Sequence, residues 1–312
     1  MADSETLMEA KTRRGSTGSM DKSIDFRLVL VGKTGAGKSS SGNNILGRDA
    51  FRAAVSQASV TSKCSKAKDK VFDREVSVVD TPGIFDTSQA DDAVTREIYK
   101  CINMSAPGPH AILLVIQAGV FKDEDGVAVR KVEEIFGADF WRYTIILFTH
   151  GDEVKSDFEQ MLKGARDELK EVLKKVENRY HVFNNNKCND RGQVLDLLEK
   201  VEKMKRTNGD KFYSNPNYEE REKILDQREK ELREFNSIKH QEDIEVVKRK
   251  YEKMPSEAQR ERPQMEKRRQ SELKELNRYY HTLRSLVHHV VEQTADGFDE
   301  IKKKFHETLR VN

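Results

Sequence analysis

The chain has 312 residues, 36% hydrophobic and 35% charged, enough for one large domain or two ordinary ones but richer in charge than an average globular protein. Its 56 basic and 54 acidic residues leave a net charge of +2, a balance that argues against a nucleic-acid binder with its clustered basic excess. No run approaches the roughly 20 apolar residues of a transmembrane helix. The first residues lack a secretory apolar core, Ala2 excludes myristoylation and the final Arg310-Val311-Asn312 excludes prenylation, so a cytoplasmic protein is expected.

Residues 1–24 are rich in Ser, Thr, Gly and charge, and predict a disordered arm. From Phe26 onward apolar strand-like runs alternate with helix-like segments: 26–31 then 38–46, 75–79 then 87–104, 111–117 then 124–136, 143–148 then 157–175, and 180–183 then 192–205. That alternation predicts a mostly parallel sheet with helices on both faces. The runs at 111–116 and 144–148 are continuously apolar, as central strands buried on both sides require, whereas 75–79 begins with a charge and fits a strand nearer an edge. Cys64, Cys101 and Cys188 have no metal-ligand spacing and are expected to be small, buried or half-buried side chains.

Composition shifts after Thr207-Asn208-Gly209-Asp210, which divides the chain into the arm, a domain over 25–210 and a charged helical extension over 211–312. Pro255 and Pro263 predict a break between helices over 217–253 and 264–295, followed by a terminal one. Leu273, Leu276, Tyr280, Leu283, Val287 and Val290 form one apolar seam by their 3-4-3-4-3 spacing. The seam either binds a protein partner as a coiled coil or packs on the chain's own domain or preceding helix.

The chemistry concentrates in four stretches. Gly32-Lys33-Thr34-Gly35-Ala36-Gly37-Lys38-Ser39 fits G-x-x-x-x-G-K-[ST] and lies between a strand and a helix, where backbone N–H groups can wrap phosphates. Lys38 is placed to reach the β and γ phosphates, Ser39 to ligate Mg²⁺, and Ser40 completes the nucleotide-contacting set. Asp80-Thr81-Pro82-Gly83 follows the next run, with Asp80 expected on a Mg²⁺-bound water and the Gly83 N–H on the γ-phosphate. Thr149-His150-Gly151-Asp152 departs from N-K-x-D, so base selection rests on Asp152, which matches the guanine N1 and N2 donors; His150 and Asp152 also suit a helix cap. Asn184-Asn185-Asn186 is a candidate base contact or a plain turn. Thr61, in a stretch with several hydroxyl side chains, is the candidate to complete the magnesium shell. Lys38, Thr61 and Gly83 are the candidates for direct catalytic contact.

Together these motifs resemble the GTPases of immunity-associated proteins (GIMAP), a septin-like branch of the P-loop GTPases, over about residues 25–210. The resemblance rests on Gly37-Lys38-Ser39-Ser40-Ser41-Gly42-Asn43-Asn44-Ile45-Leu46-Gly47, Asp80-Thr81-Pro82-Gly83-Ile84-Phe85-Asp86, Gly108-Pro109-His110-Ala111 and Phe148-Thr149-His150-Gly151-Asp152, with a further signature from Gly108 through Glu124 to Gly137. It implies a three-layer P-loop GTPase fold followed by an all-α extension, GTP and GDP with Mg²⁺, GTP-dependent pairing of G domains and a cytosolic immune role. It also makes T-H-G-D an accepted guanine motif, Thr61 the switch threonine and Asn184 a base contact. Two departures predict slow hydrolysis. Ile84 stands where small GTPases carry a water-positioning glutamine, and Gly119-Val120-Phe121-Lys122 stands where relatives carry G-R-[FY] with an arginine. A GTP-switched module and a GTP-bound scaffold that barely hydrolyses both fit; His110 is a structural or a catalytic histidine.

Overall fold

In a computed structural model of the chain, residues 25–53, 63–83, 91–154, 158–187, 189–252 and 262–294 are described. The most apolar runs lie at the middle of a six-stranded sheet. β4 (Ala111–Gln117, AILLVIQ) and β5 (Thr144–Thr149, TIILFT) are buried almost throughout, as strands covered on both faces must be. The strand order is β2-β3-β1-β4-β5-β6, completed by β1 (Phe26–Val31), β2 (Ser65–Val71), β3 (Arg74–Asp80) and β6 (Tyr180–Val182). All neighbours are parallel except β2 with β3.

β2 has no counterpart among the expected strands. Its sequence SKAKDKV alternates Lys66, Lys68 and Lys70 with small or charged residues, so the period of two is present but the apolar face is too thin to read. It forms because a two-residue hairpin through Phe72 (φ 48°) and Asp73 (φ 62°) returns the chain onto β3, and its lysines suit an outer edge. β3 is therefore one place in from the edge.

Helices fill both faces because β-strand side chains alternate. α1 (Lys38–Leu46) and α6 (Gly192–Thr207) bury Ile45, Leu46, Val194, Leu197 and Val201 against Leu28, Leu30, Val78 and Leu113. On the other face α2 (Asp91–Ser105), α3 (Asp123–Phe136) and α5 (Asp167–Lys175) bury Ile102, Met104, Val132, Phe136 and Leu169 against Val29, Val79, Ile112 and Ile146. The helix expected over 157–175 is two pieces, α4 (Phe158–Lys163) and α5, interrupted at Gly164, Ala165 and Arg166; glycine is a poor helix interior, and the Gly164 N–H ends α4 on the Gln160 carbonyl. Cys64 and Cys101 are buried free thiols, as expected, and Cys188 lies outside the described residues.

The core continues past residue 210. Tyr213 and Tyr218 are buried with the α3 side of the sheet; the Tyr213 N–H donates to Pro109 O at 2.8 Å and its hydroxyl donates to Phe136 O. A Cβ on Gly108 (φ 152°) would lie 1.8 Å from the Tyr213 carbonyl oxygen. Gly108→Ala is therefore expected to cost about 3 kcal/mol through backbone displacement, read as a lowered thermal midpoint; an unchanged midpoint would mean that this crossing is looser than described.

α7 (Pro216–Glu252) and α8 (Arg262–Glu292) form an antiparallel hairpin, with Pro263 in the first turn of α8, where its missing N–H costs nothing. Tyr280, Leu283, Val287, Val290 and Val291 bury against Leu225 and Leu232, so the seam faces the preceding helix of the same chain. The hairpin also rests on the sheet domain. The Tyr218 and Ser105 hydroxyls are 2.8 Å apart, Arg221 Nε donates to Asn103 Oδ1 at 2.8 Å, and Lys66 Nζ on β2 donates to Glu292 Oε2 at 2.7 Å. His288 lies between Glu229 Oε1 at 2.5 Å and Glu292 Oε2 at 3.5 Å. The arm 1–24 and the segment expected to continue the seam after Gly297 lie outside the described residues.

Candidate functional site

Parallel strands send their carboxyl ends to one pole of the sheet, and the four sequence stretches gather there. Gly32 follows β1 so closely on β4 that a Cβ would lie 2.5 Å from Val115 O, and Gly37 (φ 93°) turns the loop into α1. Lys38 is buried. Its Nζ donates to Gly32 O at 3.0 Å and Lys33 O at 2.8 Å, so the lysine holds the loop that it belongs to.

Asp80 at the end of β3 accepts a 2.6 Å hydrogen bond from the Ser39 hydroxyl on Oδ2, while Oδ1 is buried with no partner among the described residues. Burial pushes the Asp80 carboxyl up to about 6, against the Ser39 hydrogen bond and the nearby Lys38 charge, both of which favour the carboxylate. Thr81 is turned away, its hydroxyl donating to Leu30 O at 2.7 Å. Gly83 lies against the loop: a Cβ there would come within 1.8 Å of Thr34 Oγ1. Thr61 lies outside the described residues, as does Ile84.

Thr149 has a structural job that the T-H-G-D spelling did not disclose. Its hydroxyl donates to Ala36 O at 2.8 Å, tying the end of β5 to the phosphate loop, and His150 Nδ1 is 3.1 Å from the Thr149 hydroxyl oxygen. Asp152 is exposed and accepts from Asn186 Nδ2 at 3.1 Å. Asn184 is brought into the same loop, but its side chain accepts the Asn186 N–H at 2.9 Å and its own N–H donates to Gln193 Oε1 at 2.9 Å. Asn185 reaches under the loop instead, its Nδ2 donating to Ser41 Oγ at 3.2 Å.

Sequence reasoning also missed Lys33 with Asp125. The Lys33 ammonium is 2.8 Å from Asp125 Oδ2, and the same carboxylate oxygen accepts the Lys122 N–H at 2.9 Å at the start of α3. A separation of 92 residues leaves no local pattern to find it by. Val120 is 36% exposed, and Lys122 is an exposed N-cap residue. His110 stands at the opposite pole, where Nδ1 accepts the Arg27 N–H at 2.9 Å; burial, with Arg27 and Lys205 nearby, drives it down to about 3, and it is structural.

A glycine loop between β1 and α1, a carboxylate at the end of β3 and a second at the end of β5, all on one pole of a three-layer sheet, define a P-loop nucleotide-binding fold of the GTPase type. The family model described as "AIG1 family" matches residues 26–233, and the chain belongs to that family. It is 37% identical over 195 residues to human GTPase IMAP family member 8, covering 61% of this chain and 29% of that protein. It is 39% identical over 201 residues to Immune-associated nucleotide-binding protein 9 of Arabidopsis thaliana, covering 62% of this chain and 59% of that protein. The chain thus spans less than two thirds of either relative. Among solved structures, Arabidopsis thaliana Toc33 in complex with Mg²⁺ and GMPPNP aligns at 16% identity and a TM-score of 0.46, over 60% of this chain and 87% of that one. Among the described residues, no helix is long and apolar enough to cross a membrane.

Proposed function

We propose that the chain binds GTP and GDP with Mg²⁺, hydrolyses GTP slowly, and couples the bound nucleotide to its C-terminal hairpin. The observation that carries this reading is Asp80, buried beneath the glycine loop with Ser39 on one oxygen and nothing among the described residues on the other. Oxygen donors beside phosphates suit a hard divalent cation. Ser39 would hold Mg²⁺ directly, Asp80 through water and Thr61 from the stretch before β2; the cation supplies neutralisation of phosphate charge. Lys38 contacts the β and γ phosphates, the Gly83 N–H the γ-phosphate, and Asp152, steadied by Asn186, the guanine edge, with Asn184 from the adjoining loop.

Three contacts favour coupling to the hairpin. Lys66, bonded to Glu292, lies on the strand that leaves the 54–62 stretch, and α2, which carries Asn103 and Ser105, follows Gly83 in sequence. The same proposal includes a cytoplasmic location, pairing of G domains in the GTP state and a protein partner for the hairpin. Val120 favours a second reading, a GTP-bound scaffold, because an apolar side chain there cannot stabilise charge on the phosphoryl group.

The test is GTP hydrolysis per molecule at rising protein concentration, with guanine-nucleotide binding measured in the same sample against ATP as competitor. A rate that climbs with concentration is expected from pairing. A flat, near-zero rate with tight GTP binding supports the scaffold; ATP competing as well as GTP removes the guanine assignment.

A further inference from the structure

Several polar side chains around the phosphate loop have partners among the described residues. Lys33 is held by Asp125, Ser39 is on Asp80, Thr81 is on Leu30 O and Thr149 is on Ala36 O. Thr34 Oγ1 is shielded from solvent and has no hydrogen-bond partner among the described residues. A buried, unpaired hydroxyl costs about 1–3 kcal/mol, so its retention asks for a ligand that satisfies it. Its place is defined by Gly83, where a Cβ would fall 1.8 Å from Oγ1 and 3.0 Å from the Thr34 Cβ. The hydroxyl is therefore at the junction of the phosphate loop and the D-x-x-G stretch that Gly83 ends.

Resting on the reading of this pole as a GTP site, we propose that Thr34 is a catalytic residue of the hydrolysis, binding the γ-phosphoryl group and the attacking water together. A hydroxyl has one donor and two acceptor lone pairs. Thr34 donates its hydrogen to a γ-phosphoryl oxygen and accepts one from the water. The water oxygen forms the new bond to the γ-phosphorus, and the bond to the β–γ bridging oxygen breaks with its electron pair left on GDP. The proton lost by the water passes to a γ-phosphoryl oxygen, so the threonine is neither ionised nor consumed. This supplies in cis the polar contact that Ile84 and Val120, both apolar, cannot. It also gives Gly83 a steric reason, since any side chain there displaces the hydroxyl.

The experiment compares full-length wild type with Thr34→Val, which keeps shape but loses the hydroxyl, and Thr34→Ser, which keeps the hydroxyl. Single-turnover GTP hydrolysis is measured at one protein concentration and saturating nucleotide, with affinities for GDP and for a non-hydrolysable GTP analogue measured separately. Thr34→Val is expected to slow hydrolysis at least about 10-fold and to weaken the analogue relative to GDP, with GDP affinity within about 2-fold of wild type; Thr34→Ser is expected to recover most of the rate. An unchanged rate in Thr34→Val, equal loss for GDP and analogue, a Thr34→Ser variant as impaired as Thr34→Val, or a wild type that binds GTP without hydrolysing it would each overturn the assignment. A wild type that binds neither guanine nucleotide would overturn the underlying GTP site instead.

Discussion

Lys38→Ala abolishes measurable nucleotide binding, an expected loss of at least about 100-fold in GDP affinity in the presence of Mg²⁺. The magnitude follows from where the ammonium is held. Nζ is buried and bonded to Gly32 O and Lys33 O, so its charge is already fixed over the loop and needs no ordering when phosphate arrives. Alanine removes the charge and the clasp together. Equilibrium titration with a fluorescent GDP reads the effect, and a thermal melt of the nucleotide-free variant separates lost binding from a lost fold. Ser39→Asn tests the same pole by its metal, since it should remove the magnesium dependence of binding while Lys38 stays in place. Micromolar GTP affinity surviving in Lys38→Ala would take the nucleotide out of this loop.

Lys66→Met frees the end of α8. Lys66 and Glu292 are 11% and 6% exposed at their side chains, and removing one partner of so buried a pair leaves an uncompensated charge, worth about 3 kcal/mol. His288 and His289 also face Glu292, at 3.5 and 3.6 Å, and keep the loss from being larger. Amide exchange over 280–294 should therefore quicken by about 100-fold, with little change in the strands; unchanged exchange would mean that the hairpin is held by its apolar contacts alone.

The wild type carries a pH dependence at the same place. The Glu229 hydrogen bond, with Glu292 adding to it, holds His288 above its ordinary value near 6.5 despite burial and the opposing Lys66 charge. That contribution is complete below 6.5 and is lost as pH rises through the raised value in the folded protein. Glu229 and Glu292 are held below their ordinary 4.5, Glu229 by its His288 and Arg233 partners and Glu292 by His289, Lys66 and His288, each against the cost of burial. Their contribution is present above 4.5 and lost as pH falls through the lowered values. Protection of α8 should thus be greatest between these two ranges and weaken on either side.

Much of the site was legible because its chemistry is local. The glycine spacing of the loop and the carboxylate after an apolar run are consecutive residues, and the structure brings Ser39 and Asp80 together as their motifs implied. What escaped was either non-local or underwritten by polar residues. Asp125 meets Lys33 only through the packing of α3, and Thr149 reads as a departure from N-K-x-D until its hydroxyl is seen on Ala36 O. β2 escaped because an edge strand needs little apolar surface, and the burial of Tyr213 and Tyr218 escaped because they follow a genuine turn yet return to the core. The seam of α8 was visible in its spacing; which surface covers it was not, since Leu225 and Leu232 lie some 50 residues upstream.

The polar and hydrogen-bonded anchors of the hairpin have a mechanical consequence. Tyr218 and Arg221 hold the first turns of α7 to α2, Glu229 pairs with His288 of α8, and from Glu229 to the end at Glu252 the helix continues for 23 residues, about 35 Å at 1.5 Å per residue. The proposed coupling makes the hairpin a lever with its fulcrum at the ion pair of Lys66 and Glu292. Under the proposed coupling, a tilt of about 10° at that fulcrum would sweep the tip through about 6 Å, the size of a side chain.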